Sequence, residues 1–417
     1  MPAGTVRNPA GYLRDGYSCF DAKSYGAACD ATVAGAGTDD TTAIQATVDA
    51  AAAVNGVAVI PRYARTTAPL TVTNSVTICG PGGAAFTGTG ATGYAPAGGI
   101  INAAWNADKI TVTGNSSTRN VHIHDLAIIN PSYASYTSAT AGAAIRCTNT
   151  ISTFIERTTV VGCYDGIVFD GSGTTWAPSL KDIEVALIKH DGVSLTHGST
   201  IGGIGHASIQ DAQITNANGT VMTGAGLRLN GVSGGSFENV DCIGATAGIH
   251  IGNTVQSIYC FFRNVLGDTS TLPWDIESCR LSEFDSCYAA TIGGAYGVAF
   301  RANADDINWR GGTMGYFSTG GFYLAANTSN LNLSGVMFRS YSGGGAASPF
   351  VFAGSTADVS IKGCKAKQSF DFTGAGCALG ASGHTGLWIE GNEFNSAITG
   401  TRTGTGNRIT LNRGDDI

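Results

Sequence analysis

The chain has 417 residues, 60 of them Gly, with 13% charged and 43% hydrophobic residues. Glycine is about twice as frequent as usual and charge about half as frequent, while the hydrophobic share is ordinary, which excludes a disordered chain. The net charge is −7 and Lys and Arg are scattered singly, so no nucleic-acid partner is expected. No run of about 18 apolar residues occurs, so no membrane insertion is expected either.

The N-terminal residues Met1–Arg7 lack the charged segment and apolar run of a secretory signal. We therefore expect no cleaved leader. Residues 1–19 are interpreted as an N-terminal extension, and residues 20–417 as a single domain.

The 11 Cys are widely spaced and include no CxxC pair. This spacing predicts neither a zinc site nor a dense disulfide framework, and no metal or other cofactor is expected. Most thiols are expected to be reduced and buried as small apolar groups. A local disulfide between Cys19 and Cys29 stays open at this point.

One segment has the pattern of an α-helix. Thr38, Asp39 and Asp40 supply capping oxygens, and an Ala-rich run follows with Ile44 and Val48 at helical spacing. We expect a helix over residues 38–54, ended by Gly56. The next residues, 57–60, are predicted to form a strand that stops at Pro61.

Beyond residue 120 the sequence repeats itself in two alternating patterns. One is apolar-x-apolar-x followed by Asn, Asp or Gly; its last four copies end at Gly311, Gly335, Gly363 and Gly391, which lie 24, 28 and 28 positions apart. The other is Gly-apolar-x-apolar, as in residues 226–229, 248–251, 297–300 and 321–324. Short alternating strands with a period in the twenties are typical of a β-solenoid in which each repeat is one coil.

The repeats therefore predict an all-β chain of about eleven stacked coils. A β-sandwich is the main alternative, but it would show turns every ~8–12 residues without a common register. Asp125, Asp182, Asp211, Asn239 and Asn264 fall at equivalent turn positions and are interpreted as a structural ladder.

Three segments resemble the opening of the pectate-lyase-like superfamily: residues 20–27, residues 37–45 and residues 57–61. The resemblance departs from the common form at Arg62-Tyr63-Ala64, where a Gly-containing turn is usual. It implies a right-handed parallel β-helix with an N-terminal capping helix. Within the superfamily the chain is most similar to phage tailspikes and polysaccharide depolymerases. That similarity implies a homotrimer on a virion tail or in the extracellular space, acting on a capsule or O-antigen polysaccharide.

Stacking the Gly-apolar-x-apolar repeats aligns the outward-facing side chains in columns about 4.8 Å apart per coil. The first column reads Val168, Ser194, Arg228, His250, Asp275, Ala299, Tyr323 and Val351. The second reads Asp170, Thr196, Asn230, Gly252, Glu277, Arg301, Ala325 and Ala353. Polar and ionisable groups thus concentrate between Arg228 and Tyr323.

Asp275 and Glu277 are two residues apart on one face, so a rise of ~3.3 Å per residue predicts carboxyls roughly 6–7 Å apart. Such a pair suits glycoside hydrolysis, with one group as acid and the other as base or nucleophile. The first hypothesis is thus an endo-glycoside hydrolase with Asp275 and Glu277 as catalytic residues. Substrate contacts are expected from Arg228, His250, Arg301 and Tyr323.

Two other functions and one structural alternative stay open. A polysaccharide lyase would abstract a proton beside a uronate carboxylate, with His250, Tyr323 or an Arg as base. A glycan-binding adhesin would bind the same face without cleavage. A solvated polar stripe would need no ligand, since outward positions must be polar in any case.

His122 and His124 lack a third ligand in register, so no metal is expected there. Trp105, Trp176 and Trp309 are candidates for stacking on sugar rings.

Overall fold

The computed structural model describes residues 18–31, 36–82, 85–86, 94–95, 100–102, 106–114, 119–130, 133–173, 175–198, 203–216, 221–291, 293–339, 347–367, 377–379, 383–394, 398–400 and 404–410. The chain forms two compact units. Unit 1 comprises residues 1–196 and 203–222, and unit 2 comprises residues 197–202 and 223–417. The expected boundaries, an extension over 1–19 and one domain over 20–417, stay a prediction.

Unit 1 contains one α-helix, α1 (Thr41–Ala52), and two short 3₁₀ helices, Ala22–Tyr25 and Tyr133–Ser138, among its described residues. Its strands are β1 Cys19–Asp21, β2 Val57–Val59, β3 Ala64–Thr66, β4 Leu70–Val72, β5 Thr77–Cys79, β6 Ala85–Phe86, β7 Tyr94–Ala95, β8 Ile100–Asn102, β9 Ile110–Thr113, β10 Arg119–His124, β11 Ala127–Ile129, β12 Ala143–Thr148, β13 Ile151–Glu156, β14 Thr159–Val161, β15 Asp165–Asp170, β16 Thr175–Trp176, β17 Ser179–Ala186, β18 Val193–Thr196, β19 Ile204–Gly205 and β20 Ser208–Thr215.

Unit 2 is built from strands alone in the part that the structure describes. They are β21 Met222–Asn230 (its first residue belongs to unit 1), β22 Val232–Ser233, β23 Ser236–Ile243, β24 Ala245–Ile251, β25 Ser257–Ile258, β26 Phe261–Arg263, β27 Leu266–Ser270, β28 Leu272–Asp285, β29 Tyr288–Thr291, β30 Tyr296–Arg310, β31 Thr313–Gly315, β32 Gly320–Leu324, β33 Ser329–Ser334, β34 Met337–Arg339, β35 Ser348–Phe352, β36 Ala357–Lys362, β37 Lys365–Lys367, β38 Cys377–Ala378, β39 Trp388–Glu390, β40 Ile398–Thr399 and β41 Arg408–Thr410.

In each unit the coil strands pair in parallel with the equivalent strand of the next coil, whereas β6 and β7 of unit 1 form a separate antiparallel pair. Ile155 of β13 pairs with Leu180 of β17 in unit 1, and Leu331 of β33 pairs with Val359 of β36 in unit 2. The predicted parallel β-solenoid is thus confirmed. The described residues form about nine turns rather than the expected eleven. The count is lower because some coils of unit 1 are long: Thr77 pairs with His122, 45 positions along the chain.

Helix α1 is shorter than the expected 38–54. The two acidic residues that precede it, Asp39 and Asp40, form different hydrogen bonds. Asp39 Oδ1 accepts hydrogen bonds from the backbone N–H and the hydroxyl of Thr41, so this carboxylate supplies the cap. Asp40 makes no capping bond with its side chain. Its carboxylate accepts backbone N–H groups of Ala28, Cys29 and Arg65 instead, which ties the helix start to one loop and to β3.

The expected turn ladder is confirmed by the backbone. Asp125, Asp182, Asp211, Asn239 and Asn264 all have φ between 50° and 54°. Asn and Asp tolerate this left-handed conformation better than other side chains. In unit 2 the equivalent positions of later coils are taken by Gly311, Gly335, Gly363 and Gly391, with φ of 60–65°.

Stacked aromatic rings fill part of the interior of unit 2. Phe237, Phe262, Phe284 and Trp309 stack in sequence, with successive ring centroids 4.6–4.9 Å apart. Trp274 packs edge-on against the last three and is fully buried. Its Nε1 donates a hydrogen bond to the carbonyl oxygen of Tyr288 at 2.9 Å. Trp274 thus anchors β28 from the inside.

All 11 cysteines are free, so the Cys19–Cys29 bridge does not form. Eight of them are buried, as expected for small apolar side chains. Burial raises the pKa of the Cys279, Cys287 and Cys364 thiols to about 12. No helix in the described ranges has the length and apolar character that a membrane span requires.

Candidate active site

The outward face of unit 2 brings the predicted residues of the first column together. His250 pairs with Asp275, Asp275 with Ala299, Ala299 with Tyr323, and Tyr323 with Val351. The inward neighbours Ile249, Trp274, Val298 and Phe322 are fully buried, so the strands cannot slip by one residue without exposing them. Packing on the inside therefore fixes which side chains face out.

Arg301 forms an ion pair with Asp275. Its Nε lies 2.8 Å from Asp275 Oδ1, and the Asp275 side chain is only 14% exposed. The hydrogen bond to Asp275 raises the pKa of the Arg301 guanidinium, an effect that partial burial opposes and the charges of Asp275 and Glu277 reinforce. Arg301 therefore remains a cation beside both carboxyls.

A β-bulge in β30 places Arg301 there. Ile276 pairs with Phe300, but Ser278 pairs with Asn303, so one extra residue lies in β30 opposite Glu277. The expectation that Arg301 stacks in simple register over Glu277 is therefore wrong. Bulges bend a strand locally and redirect a side chain, and here Arg301 reaches Asp275 of the preceding coil.

His250 lies between Arg228 and Glu277. Its Nδ1 is 3.3 Å from Arg228 Nη1, and its Nε2 is 3.5 Å from Glu277 Oε2. A guanidinium can only donate, so Nδ1 is the acceptor in the contact with Arg228. The imidazole is only 12% exposed, so its contact with Glu277 is largely shielded from solvent.

Tyr296 and Tyr323 complete this face. Their ring centroids are 4.5 Å apart with planes tilted by 36°. Burial raises the pKa of Tyr296; the neighbouring Tyr323 adds to this and Arg301 opposes it. The two phenol rings are thus adjacent to the Arg301–Asp275 pair and offer a partly exposed aromatic surface.

Sequence reasoning missed Tyr296 because it followed only two outward columns. A third column precedes the Gly of each repeat: Tyr296 pairs with Gly320, and Gly320 pairs with Ser348. A Cβ at Gly320 would lie 2.8 Å from Val351 and 3.3 Å from Tyr296, so this position also faces outward. Aligning the residue before each Gly in the same way would have identified Tyr296.

A second pair of carboxyls, Asp241 and Asp268, lies on the paired strands β23 and β27 of unit 2. Burial raises the pKa of Asp241, and the negative charge of Asp268 adds to that effect. In unit 1, burial raises the pKa of Glu184. Perturbed acids are characteristic of functional sites as well as of buried strands, so Asp241 is the natural comparison for Asp275.

The aromatic and histidine candidates separate by exposure. Trp309 is fully buried in the core, Trp105 lies outside the described residues, and Trp176 is 44% exposed. A Cβ at Gly205 would lie 2.4 Å from the Trp176 ring, so this Gly leaves room for the indole to lie across the strand.

Glu156 pairs with His124 and lies 3.4 Å from His122, so the expectation of no third group in register there is wrong.

No family model and no curated protein sequence matches the chain. Solved structures with a similar fold include the A-module of the mannuronan C-5 epimerase AlgE6 from Azotobacter vinelandii, at 15% identity and a TM-score of 0.59, covering 94% of this chain and 97% of that one. Tailspike protein 3 of bacteriophage CBA120 has 12% identity and a TM-score of 0.58, covering 94% and 61%. PfbA, a surface adhesin of Streptococcus pneumoniae, has 10% identity and a TM-score of 0.55, covering 92% and 91%.

These similarities establish the fold that the resemblance to the pectate-lyase-like superfamily predicted. At 10–15% identity they establish the fold alone. The chain spans about three fifths of the phage tailspike and nearly the whole of the other two.

Proposed function

We propose that this chain is a polysaccharide-cleaving enzyme, an endo-glycoside hydrolase whose reaction is carried by Asp275 and Glu277. The observation that carries the proposal is the grouping of two carboxyls on one outward face, where Asp275 is held by Arg301 and Glu277 lies beside His250. Two carboxyls with different neighbours on one face suit glycoside hydrolysis, in which one group acts as acid and the other as base or nucleophile.

The two carboxyls have different surroundings, which suggests different roles. Asp275 is the more buried and accepts the charge-assisted bond from Arg301, so we assign it as the carboxylate that attacks the sugar or activates water. Glu277 is 35% exposed and lies beside His250, so we assign it as the acid that protonates the departing oxygen. Arg228, His250, Arg301 and Tyr323 would contact the substrate, with Tyr296 added from the structure.

The fold neighbours support the proposed substrate, assembly and location. One neighbour is named for an action on mannuronan and another is a phage tailspike, so the substrate class is a polysaccharide and the proposed one a bacterial surface polysaccharide. By the same analogy the chain would act as a homotrimer on a virion tail or outside the cell.

A polysaccharide lyase is the second candidate. Arg228, Arg301 and Tyr323 lie on the same face, which suits neutralising a uronate carboxylate with a guanidinium while the Tyr323 phenol moves the neighbouring proton. An adhesin is a third possibility, since PfbA has this fold.

Incubation with a panel of capsular and O-antigen polysaccharides, followed by mass analysis, tests the proposal. A hydrolase adds one water per cleavage and yields a new reducing end. A lyase yields an unsaturated uronide of lower mass that absorbs ultraviolet light. If the chain binds at least one glycan of the panel and cleaves none, it is an adhesin, and both enzyme proposals are overturned.

A further inference from the structure

Two carboxylates stack in the third outward column of unit 1. Asp165 begins β15 and Asp191 comes just before β18, each directly ahead of the Gly of its repeat. Gly166 N–H donates to the Asp191 carbonyl at 2.9 Å, so the two residues lie on adjacent coils. Like charges facing each other across neighbouring strands are destabilising unless something compensates them.

His190 lies between these carboxylates. Its Nδ1 is 3.0 Å from Asp165 Oδ1 and 3.5 Å from Asp191 Oδ2. Nδ1 and one oxygen of each Asp all lie within 4.8 Å of one another. A ring nitrogen and two carboxylate oxygens therefore converge on one small volume.

The spacing matches that of ligands around one metal ion. Two atoms bonded to an ion at ~2.1 Å are ~3.0 Å apart at a right angle and ~3.4 Å apart at the tetrahedral angle. The observed 3.0 and 3.5 Å fall at these values. A proton held by Nδ1 can occupy the same position, and a metal ion would replace it.

The surroundings hold this arrangement in place. Asp191 N–H donates to Asp165 Oδ1 at 3.1 Å, and the Asp191 side chain is only 7% exposed. The Tyr164 ring stacks on His190 with centroids 5.1 Å apart and planes 9° apart. The imidazole is 34% exposed, which leaves a side open for water or a further ligand.

We propose that Asp165, His190 and Asp191 form a binding site for a first-row divalent cation, Zn²⁺ or Mn²⁺. An imidazole nitrogen beside carboxylate oxygens suits these ions, whereas Ca²⁺ and Mg²⁺ take oxygen ligands. The ion would join two adjacent coils of unit 1 and neutralise their stacked carboxylates. Cys spacing and paired His could not reveal it, because the ligands come from separate coils and are not a sequence motif.

Calorimetry with the full chain, freed of metal by chelation, tests the site with Zn²⁺, Mn²⁺, Ca²⁺ and Mg²⁺. We expect one Zn²⁺ or Mn²⁺ per chain and at least tenfold weaker binding of Ca²⁺ and Mg²⁺. His190→Gln, a partly exposed position, should weaken Zn²⁺ binding at least tenfold. The matched control His122→Gln, elsewhere in unit 1, should leave it unchanged. Circular dichroism of both variants checks folding, and Asp191→Asn gives a second, near-isosteric test.

Co²⁺ provides a readout independent of affinity. Bound through nitrogen and oxygen, it should show visible d–d bands without the near-ultraviolet charge-transfer band of a thiolate ligand, and His190→Gln should remove those bands. Equal Zn²⁺ binding by wild type and His190→Gln, a thiolate band, or no binding at all would each overturn the proposal. The last result would mean that His190 bridges the carboxylates through a proton alone.

Discussion

Arg301 donates a hydrogen bond to Asp275 from the neighbouring coil, although the backbone partner of Asp275 on that coil is Ala299. The β-bulge that follows Phe300 makes this diagonal contact possible. If Asp275 is catalytic, the guanidinium positions its carboxylate and balances its charge. The contact itself can therefore be tested separately from the carboxyls.

Replacing either carboxyl should abolish cleavage. We expect Asp275→Asn and Glu277→Gln each to lower kcat at least about 100-fold, since acid–base catalysis contributes ~10²–10⁴-fold. Reducing-end release on the substrate identified by the polysaccharide panel measures this. Asp241→Asn, which alters a half-buried acid on β23, is the matched control and should retain activity. Wild-type rates for both Asp275→Asn and Glu277→Gln would show that neither carboxyl is catalytic. Loss of activity in Asp241→Asn alone would place the catalytic acid at Asp241 instead.

Arg301→Lys should lower kcat about tenfold or more with a smaller change in KM. Lys keeps the charge but cannot reproduce the fixed guanidinium geometry at Asp275. Arg310→Lys is the control: Arg310 forms an exposed ion pair with Glu283 at 2.7 Å away from the column. Initial rates for both variants decide the point, and equal effects would show that the Asp275 contact has no special role.

The Asp125–Arg157 pair predicts an acid-sensitive contribution to stability. The Arg157 side chain lowers the pKa of Asp125 from 3.8 to about 2, with His124 assisting and burial opposing. A lowered folded-state pKa stabilises the protein above the ordinary pKa of Asp, and that contribution is lost as pH falls from about 4 toward 2. The full shift would correspond to ~2 kcal/mol, and screening of the half-exposed Arg157 reduces this to about 1 kcal/mol.

Asp125→Asn should therefore cost about 1 kcal/mol at pH 7 and almost nothing at pH 2, because Asn keeps the left-handed turn. Urea unfolding at both pH values measures the difference. Asp182→Asn is the matched control, since Asp182 shares the conformation and forms no ion pair with any residue that the structure describes. A pH-independent loss in Asp125→Asn would contradict the electrostatic explanation.

Trp274→Ala should destabilise unit 2 by about 3–5 kcal/mol, the usual cost of removing a buried large aromatic side chain. Trp388→Ala, at a 37% exposed Trp of the same unit, should cost about 1 kcal/mol, mainly its cation–π contact with Lys362. Urea titrations followed by circular dichroism compare the two. Similar losses would mean that the aromatic stack does not anchor β28.

The eight buried thiols should be unreactive in the folded chain. Burial raises the pKa of Cys279 to about 12 and of Cys163 to about 11, which leaves little thiolate near pH 8. A colorimetric thiol reagent should react slowly with the native protein and with all 11 thiols in denaturant. Rapid labelling of more than the three half-buried cysteines, Cys19, Cys29 and Cys79, would contradict the packing.

Sequence periodicity predicted the coil, its turn ladder and the column containing His250, Asp275 and Tyr323, because each depends on a repeat of backbone geometry. It could not predict the partner of Asp275. A fixed period assumes equal strands, and the extra residue in β30 breaks that assumption at Arg301. The sequence also could not predict the cluster of Asp165, His190 and Asp191, because these residues become neighbours only when two coils stack.

The short spacing between paired residues also bears on how unit 2 forms. His250 and Asp275 are 25 positions apart, Ala299 and Tyr323 are 24 apart, and Tyr323 and Val351 are 28 apart. Closing each coil therefore orders a loop of only a few dozen residues, a smaller entropic cost than long-range strand pairing usually carries. Each finished coil presents an open edge on which the next strand can add. Folding of unit 2 is thus expected to propagate from coil to coil, as in other repeat proteins.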